Sequence, residues 1–110
     1  MSFQHADLAA GRWKELSFLE QMANIGSEVE RAIHWRLKNN QDYSQKASER
    51  ALELLDLSLD ASHDFPRLKE IARTREALVD YFYGANQYGS NEKVLKNYFS
   101  QLTFASRKGL

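Results

Sequence analysis

The chain of 110 residues contains no cysteine, and this absence removes several classes of chemistry at once. Disulfide bonds, thiolate metal sites and thiol nucleophiles all require cysteine. A cysteine-free composition fits a reducing compartment, so we expect a cytoplasmic protein.

Net charge is absent too, because 15 basic and 15 acidic residues cancel. No overall field therefore draws the chain to nucleic acid or to an anionic membrane.

Proline, glycine and long apolar runs are also scarce. One proline, five glycines and no alternating runs of β-branched residues leave little material for a β-sheet. No stretch approaches the roughly 20 consecutive apolar residues of a transmembrane helix, and the N-terminus lacks the pattern of a signal peptide. We therefore expect no membrane insertion. The length predicts one helical domain over residues 1–110, with its core at about 17–106.

Apolar residues repeat along the chain with the period of an α-helix. Ser17 and Glu20 form a capping box, which marks the start of the first long helix. Pro66 is typical of the first turn of a helix, and Gly84 is typical of the residue after a helix end. Ser90 is the predicted cap of the last helix. The predicted long helices span about 17–39, 43–60, 66–83 and 91–106, and a short additional helix spans 7–16.

Four amphipathic helices joined by short connections predict an all-α fold, and specifically an antiparallel up-and-down four-helix bundle. The first long helix has an apolar arc that covers about half of its circumference, so we expect it to lie at the centre of the bundle. Among the positions predicted to face the core are Met22, Ile25, Val29, Leu37, Tyr43, Leu55, Ile71, Leu78, Val94 and Phe99.

Three charged residues fall on apolar arcs. Arg75 projects near the centre of its stripe, and Glu30 and Arg50 lie on the arcs of the two preceding helices. A guanidinium keeps its charge when buried, so we expect Glu30 to pair with Arg50 or Arg75. One interpretation is a structural charge network that fixes the helix register. The other is an internal pocket at Arg75 that holds an anion, as in a small-ligand protein or an enzyme.

Three aromatic residues, Trp35, Tyr81 and Phe104, fall outside the apolar arcs. Exposed aromatic side chains beside arginine have the composition of interface hot spots. Alternatively, the N-terminal segment or a loop covers them in part. We favour the first interpretation, which predicts a surface for self-association or for a protein partner.

A basic cluster surrounds one of these aromatic residues. Basic residues interleaved with an aromatic ring can hold single-stranded nucleic acid through phosphate contacts and stacking. Two neighbouring glutamates dilute the cluster, and charged runs on helices are most often solvated faces. Nucleic-acid binding is therefore a second hypothesis. The cluster consists of Arg31, His34, Trp35, Arg36 and Lys38.

The residues that catalysis usually requires do not assemble in this sequence. The histidines, His5, His34 and His63, are spread over a terminus, a helix and a loop, and none forms the i, i+4 pair of a helical metal site. A glycine-rich phosphate loop and a serine nucleophile motif are missing as well. We expect no catalytic residues, no metal and no cofactor.

Three segments carry a resemblance to known proteins, at residues 20–32, 51–57 and 75–84. With these segments the chain resembles a family of short uncharacterised prokaryotic proteins over nearly its whole length. More distantly, it is similar to the four-helix accessory proteins of diversity-generating retroelements and of ribosomal RNA intervening sequences. That similarity implies a bundle that oligomerises and engages RNA or a reverse transcriptase. The expected function is a non-enzymatic, self-associating adaptor or accessory protein.

Overall fold

A computed structural model describes residues 11–61 and 63–108 and consists of helices joined by short turns. No residue in those two ranges belongs to a β-strand, which confirms the all-α prediction. The part of the predicted N-terminal helix at residues 7–10 lies outside the described residues. The helices are α1 (Arg12–Glu15), α2 (Phe18–Leu37), α3 (Gln41–Asp60), α4 (Phe65–Tyr83) and α5 (Glu92–Arg107).

Side-chain caps fix where the long helices begin. At α2 the Ser17 hydroxyl accepts a hydrogen bond from the Glu20 amide at 3.1 Å, and the Glu20 carboxylate accepts one from the Ser17 amide at 2.9 Å. The bond from the Ser17 amide, followed by an interaction with the Ser17 side chain, favours the charged carboxylate and lowers the pKa of Glu20. The predicted cap of α5 was wrong by one residue: the Asn91 side chain accepts from the Val94 amide, while Ser90 is hydrogen-bonded to Asn86 in the preceding turn.

The buried core follows the predicted helical arcs through the middle of each helix. Met22, Ile25, Val29, Leu55 and Ile71 are all completely buried there. The prediction fails near helix ends, where the apolar period continues but no neighbouring helix covers it. There, three residues predicted to face the core are at least half exposed, namely Leu37, Tyr43 and Val94.

α2 lies against both α3 and α5, and α3 in turn packs on α4 and the short α1, so α2 shares with α3 the central position that was predicted for α2 alone. One glycine sets the distance between α2 and α5. A Cβ atom at Gly26 would lie 2.8 Å from the Cβ atom of Phe99, and real Cβ contacts are not that short. The ring of Phe99 therefore packs directly on the backbone of α2.

The short helix α1 closes one end of the core with Trp13, which is only 2% exposed. Its indole N–H donates to the Ser58 hydroxyl on α3 at 3.0 Å. The Gln21 amide donates to the Trp13 carbonyl at 2.8 Å, and its oxygen lies 2.8 Å from Nε2 of His63. Four residues from three helices and a loop thus form one hydrogen-bonded cluster, in which His63 has a structural role.

Candidate partner-binding surface

Large apolar and aromatic side chains gather at one end of the molecule, where α2 and α4 end and α3 begins. Leu37 is 62% exposed there, and Tyr43 and Tyr83 are about half exposed. Trp35 is half-buried and packs edge-to-face on Tyr43, with ring centroids 4.9 Å apart. We call this surface the aromatic end. Its residues are Trp35, Arg36, Leu37, Tyr43, Tyr81, Phe82 and Tyr83.

Arg36 occupies the middle of the aromatic end. Its guanidinium carbon lies 4.6 Å from the centroid of the Tyr81 ring and 5.8 Å from that of Phe82. It also donates a hydrogen bond to the Tyr81 carbonyl at 3.1 Å. Within residues 11–61 and 63–108, none of the ion pairs includes Arg36. The aromatic end therefore combines exposed rings with a positive charge that no carboxylate of the described residues neutralises.

A polar cavity of about 200 Å³ opens beside Arg36, between the end of α2, the start of α3 and the end of α4. The Ser44 hydroxyl donates to the Ala32 carbonyl at 2.8 Å, and the Ser48 and Tyr83 hydroxyls bond to each other. These hydrogen bonds hold the two serine hydroxyls in fixed positions at the wall of the cavity. The cavity is lined by Arg36, Gln41, Ser44, Gln45, Ser48, Phe82 and Tyr83.

Two of the three aromatic residues predicted as an interface meet at this end. Trp35 and Tyr81 both belong to it, and each is partly buried. Phe104 lies elsewhere, on α5, and is 62% exposed beside a different groove. Sequence reasoning could not join Arg36 to Tyr81, because the two are 45 residues apart and on different helices.

The residues of the predicted nucleic-acid cluster make different contacts and do not form one continuous basic patch. Arg31 is ion-paired at 2.9 Å to Glu28, whose carboxylate also binds Arg50, so the charge of Arg31 is only partly balanced. His34 packs edge-to-face on Trp35, with ring centroids 5.0 Å apart. Arg36 and the exposed Lys38 are the cations of the predicted cluster that remain without an ion pair among the residues described.

The predicted charge network of Glu30, Arg50 and Arg75 needs correction. Glu30 is exposed and faces a groove beside α5, so it pairs with neither arginine. The buried acid is Glu28, which binds Arg50 on α3 and Arg31 on its own helix, both at 2.9 Å. Glu30 was chosen in place of Glu28 because α2 is covered on two sides. A wide apolar arc does not show which part of the helix surface remains exposed to solvent.

The alternative interpretation, an internal pocket at Arg75, is also wrong. Arg75 pairs with Asp56 of α3 at 2.7 Å, and their side chains are 38% and 40% exposed. The guanidinium is thus paired with an acid of a neighbouring helix, as expected for an arginine on an apolar stripe. The pair lies at the surface, however, and not in the interior of the bundle. An exposed ion pair of this kind contributes little stability and encloses no ligand.

Two further properties concern metals and membranes. In the part of the chain that the structure describes, no group of three or more His, Asp or Glu side chains is placed to hold a metal ion. None of the described helices combines the length and the apolar character that crossing a membrane would take.

A polar cluster that the sequence did not reveal joins α4 to α5. The Tyr98 hydroxyl donates to the Glu70 carboxylate and lies 3.0 Å from the Thr74 hydroxyl. Burial, followed by the hydrogen bond to Glu70, raises the pKa of Tyr98 well above its usual range. The sequence provided little indication of this polar cluster, because Tyr98 also fits the apolar arc of α5 and resembles an ordinary core residue.

We expect stability to fall above about pH 10, where a tyrosine of the unfolded chain ionises. The raised pKa of Tyr98 means that the folded state holds the proton more tightly, so its contribution is complete below that pH and decreases as the pH rises. Tyr98→Phe removes this group and should flatten the alkaline slope, although it costs about 1 kcal/mol near neutrality through the lost hydrogen bonds. Urea unfolding at several alkaline pH values measures how the free energy of unfolding depends on pH. Identical pH dependence in Tyr98→Phe and in the unaltered protein would contradict its assignment to Tyr98.

No protein-family model matches this chain, and neither a curated protein nor a solved structure shows significant similarity to it.

Proposed function

We propose that the four long helices form an antiparallel up-and-down bundle. Contacts between α2 and α3 run in opposite directions along the two helices: Ser44 bonds Ala32, and Arg50, further along α3, bonds Glu28, earlier on α2. Contacts between α3 and α4 follow the same order, because Ser48 meets Tyr83 whereas the later Asp56 meets the earlier Arg75. The short connections between the helices support the same arrangement.

We propose that this protein is a non-enzymatic, self-associating bundle that acts in the cytoplasm as an adaptor or accessory protein. The observation that carries the proposal is that three of the large apolar side chains exposed in the described residues share one end of the molecule. Leu37, Tyr43 and Tyr83 share the aromatic end with Arg36, while Phe104 lies beside a groove on α5. Gathered apolar surface of this kind is typical of protein–protein interaction sites.

The aromatic end has the features expected of a surface for a protein partner. Its rings are held in place by contacts with one another, so little side-chain freedom is lost on binding. Tyrosine, tryptophan and arginine are also the residues most enriched at interface hot spots. The Arg36 guanidinium, which is held over the Tyr81 ring, adds a cation that an acidic group of a protein partner can pair with.

Sedimentation equilibrium tests the self-association. We expect the apparent mass to rise with protein concentration between about 1 μM and about 1 mM, the range of weak specific complexes. A small interface burying about one large side chain per copy should place the dissociation constant toward the upper part of that range. A mass that stays at 12.7 kDa at every concentration would contradict the proposal.

A nucleic-acid-binding accessory factor is the second candidate function, and it is the one that the resemblance to retroelement accessory bundles implies. One specific observation favours it: the exposed residues Arg36 and Lys38 have no ion-pair partner among the described residues, and the Arg36 guanidinium lies over the Tyr81 ring. Binding of single-stranded RNA that weakens steeply with salt and is lost in Arg36→Ala would select this function over the first.

A further inference from the structure

A second surface feature is the groove between α2 and α5. The groove has a volume of about 420 Å³, and Gly26 and Phe99 form its floor. Because the two helices are in direct contact at Gly26, the groove widens from a fixed base and does not depend on a mobile loop. An engineered cavity of about 150 Å³ already holds a benzene molecule, so this groove is large enough for one phenyl ring.

Charges of opposite sign stand on the two walls of the groove. Glu30 lines it from α2 and Arg107 lines it from the last turn of α5, and both are exposed. Neither forms an ion pair within the residues that the structure describes. Phe104 stands beside them, 62% exposed, with the Lys108 ammonium 5.4 Å from the centroid of its ring. The groove thus has an acidic side chain, Glu30, and a basic side chain, Arg107, on its two walls. It also has an exposed ring, Phe104, and a cavity large enough for such a ring.

We infer that this groove is the interface between two copies of the chain. A two-fold dimer requires that each copy present the same self-complementary patch. Phe104 of each copy would enter the groove of the other, and Glu30 of each copy would pair with Arg107 of the other. Both requirements are met by residues of one patch, and each Glu30 balances one Arg107 of the other copy. The inference deepens the proposed function, because it depends on the self-association that the proposed function includes.

Phe104→Ala tests the projecting ring. Phe104 is exposed in the single copy, so its replacement should leave the thermal unfolding of the monomer nearly unchanged. Loss of a hot-spot ring should raise the dissociation constant of the dimer by about 30-fold or more. Phe65→Ala is the matched control, since Phe65 is a phenylalanine that is 76% exposed and belongs to neither the groove nor the aromatic end. We expect this control to dimerise like the unaltered protein.

A charge exchange tests the predicted pairing across the dimer. Glu30→Lys and Arg107→Glu should each weaken association by about 10-fold, because each places like charges together. The double variant restores opposite charges on the two walls and should recover most of the affinity. Recovery in the double variant is a result that a general loss of folding would not produce.

The outcomes separate this inference from the proposed function. An unaltered protein that remains monomeric overturns both. A dimer that persists in Phe104→Ala and is lost in Leu37→Ala overturns the groove and leaves self-association in place, now through the aromatic end. A dimer weakened by Phe104→Ala, and by each single charge reversal with recovery in the double variant, supports the groove.

Discussion

Replacing Trp13 with alanine is expected to lower the free energy of unfolding by about 3–5 kcal/mol, a large share of the stability of a domain of this size. Trp13 is only 2% exposed, so its removal leaves a cavity at the end of the core. The change also removes the donor to the Ser58 hydroxyl. Urea unfolding followed by circular dichroism measures the difference.

The other tryptophan provides the control for this prediction. Trp35 is only partly buried and packs on the half-exposed ring of Tyr43. Trp35→Ala should therefore cost about 1 kcal/mol, well below the loss at Trp13. Equal losses at the two positions would show that α1 is not part of the core.

Replacing Glu28 with alanine is expected to cost about 2–3 kcal/mol. Glu28 is buried and joins α2 to α3 through Arg50, which is itself about a quarter exposed. Without the carboxylate, a largely buried guanidinium loses its partner, and this is costly even when the intact pair itself contributes little. The partial exposure of Arg50 keeps the value below that of a fully buried pair. Chemical denaturation gives the free energy directly.

Glu30→Ala is the matched control, two residues further along the same helix. Glu30 is exposed, so its replacement should change the stability of the monomer by no more than about 0.5 kcal/mol. The measurement is made at low protein concentration, where copies are separate. A larger loss at Glu30 than at Glu28 would restore the charge network first expected from the sequence.

The helices themselves were predictable because their signals are local. The capping box of Ser17 and Glu20 lies within one turn, and the apolar residues of α2 repeat at helical spacing through Ile33. The predicted start of α3 at residue 43 is two residues late, because the Asn40 side chain accepts from the Tyr43 amide and the helix begins at Gln41. The last helix is an exception, because its cap is Asn91 and not the predicted Ser90. Ser90 is hydrogen-bonded to Asn86 in a turn, and the residue types alone do not determine the geometry of that turn.

The surfaces were less predictable because they depend on which helices are neighbours. A helical period places Glu28 and Glu30 on a helix, but only the positions of α3 and α5 decide which of the two is covered. Both the contact of Trp13 with Ser58 and that of Arg36 with Tyr81 join residues 45 positions apart. Tyr81 was predicted to lie outside the core arcs but is partly buried against the core, and its contact with Arg36 required the tertiary structure.

The contact of Arg36 with the Tyr81 carbonyl has a consequence for how the aromatic end responds to a ligand. Tyr81 lies in the last turn of α4, where carbonyl groups have no partner within the helix and the helix dipole is negative. The guanidinium of α2 therefore serves as a cap for the C-terminus of another helix. A ligand that draws Arg36 away competes with that cap, so occupancy of this end and fraying of the final turn of α4 are thermodynamically linked.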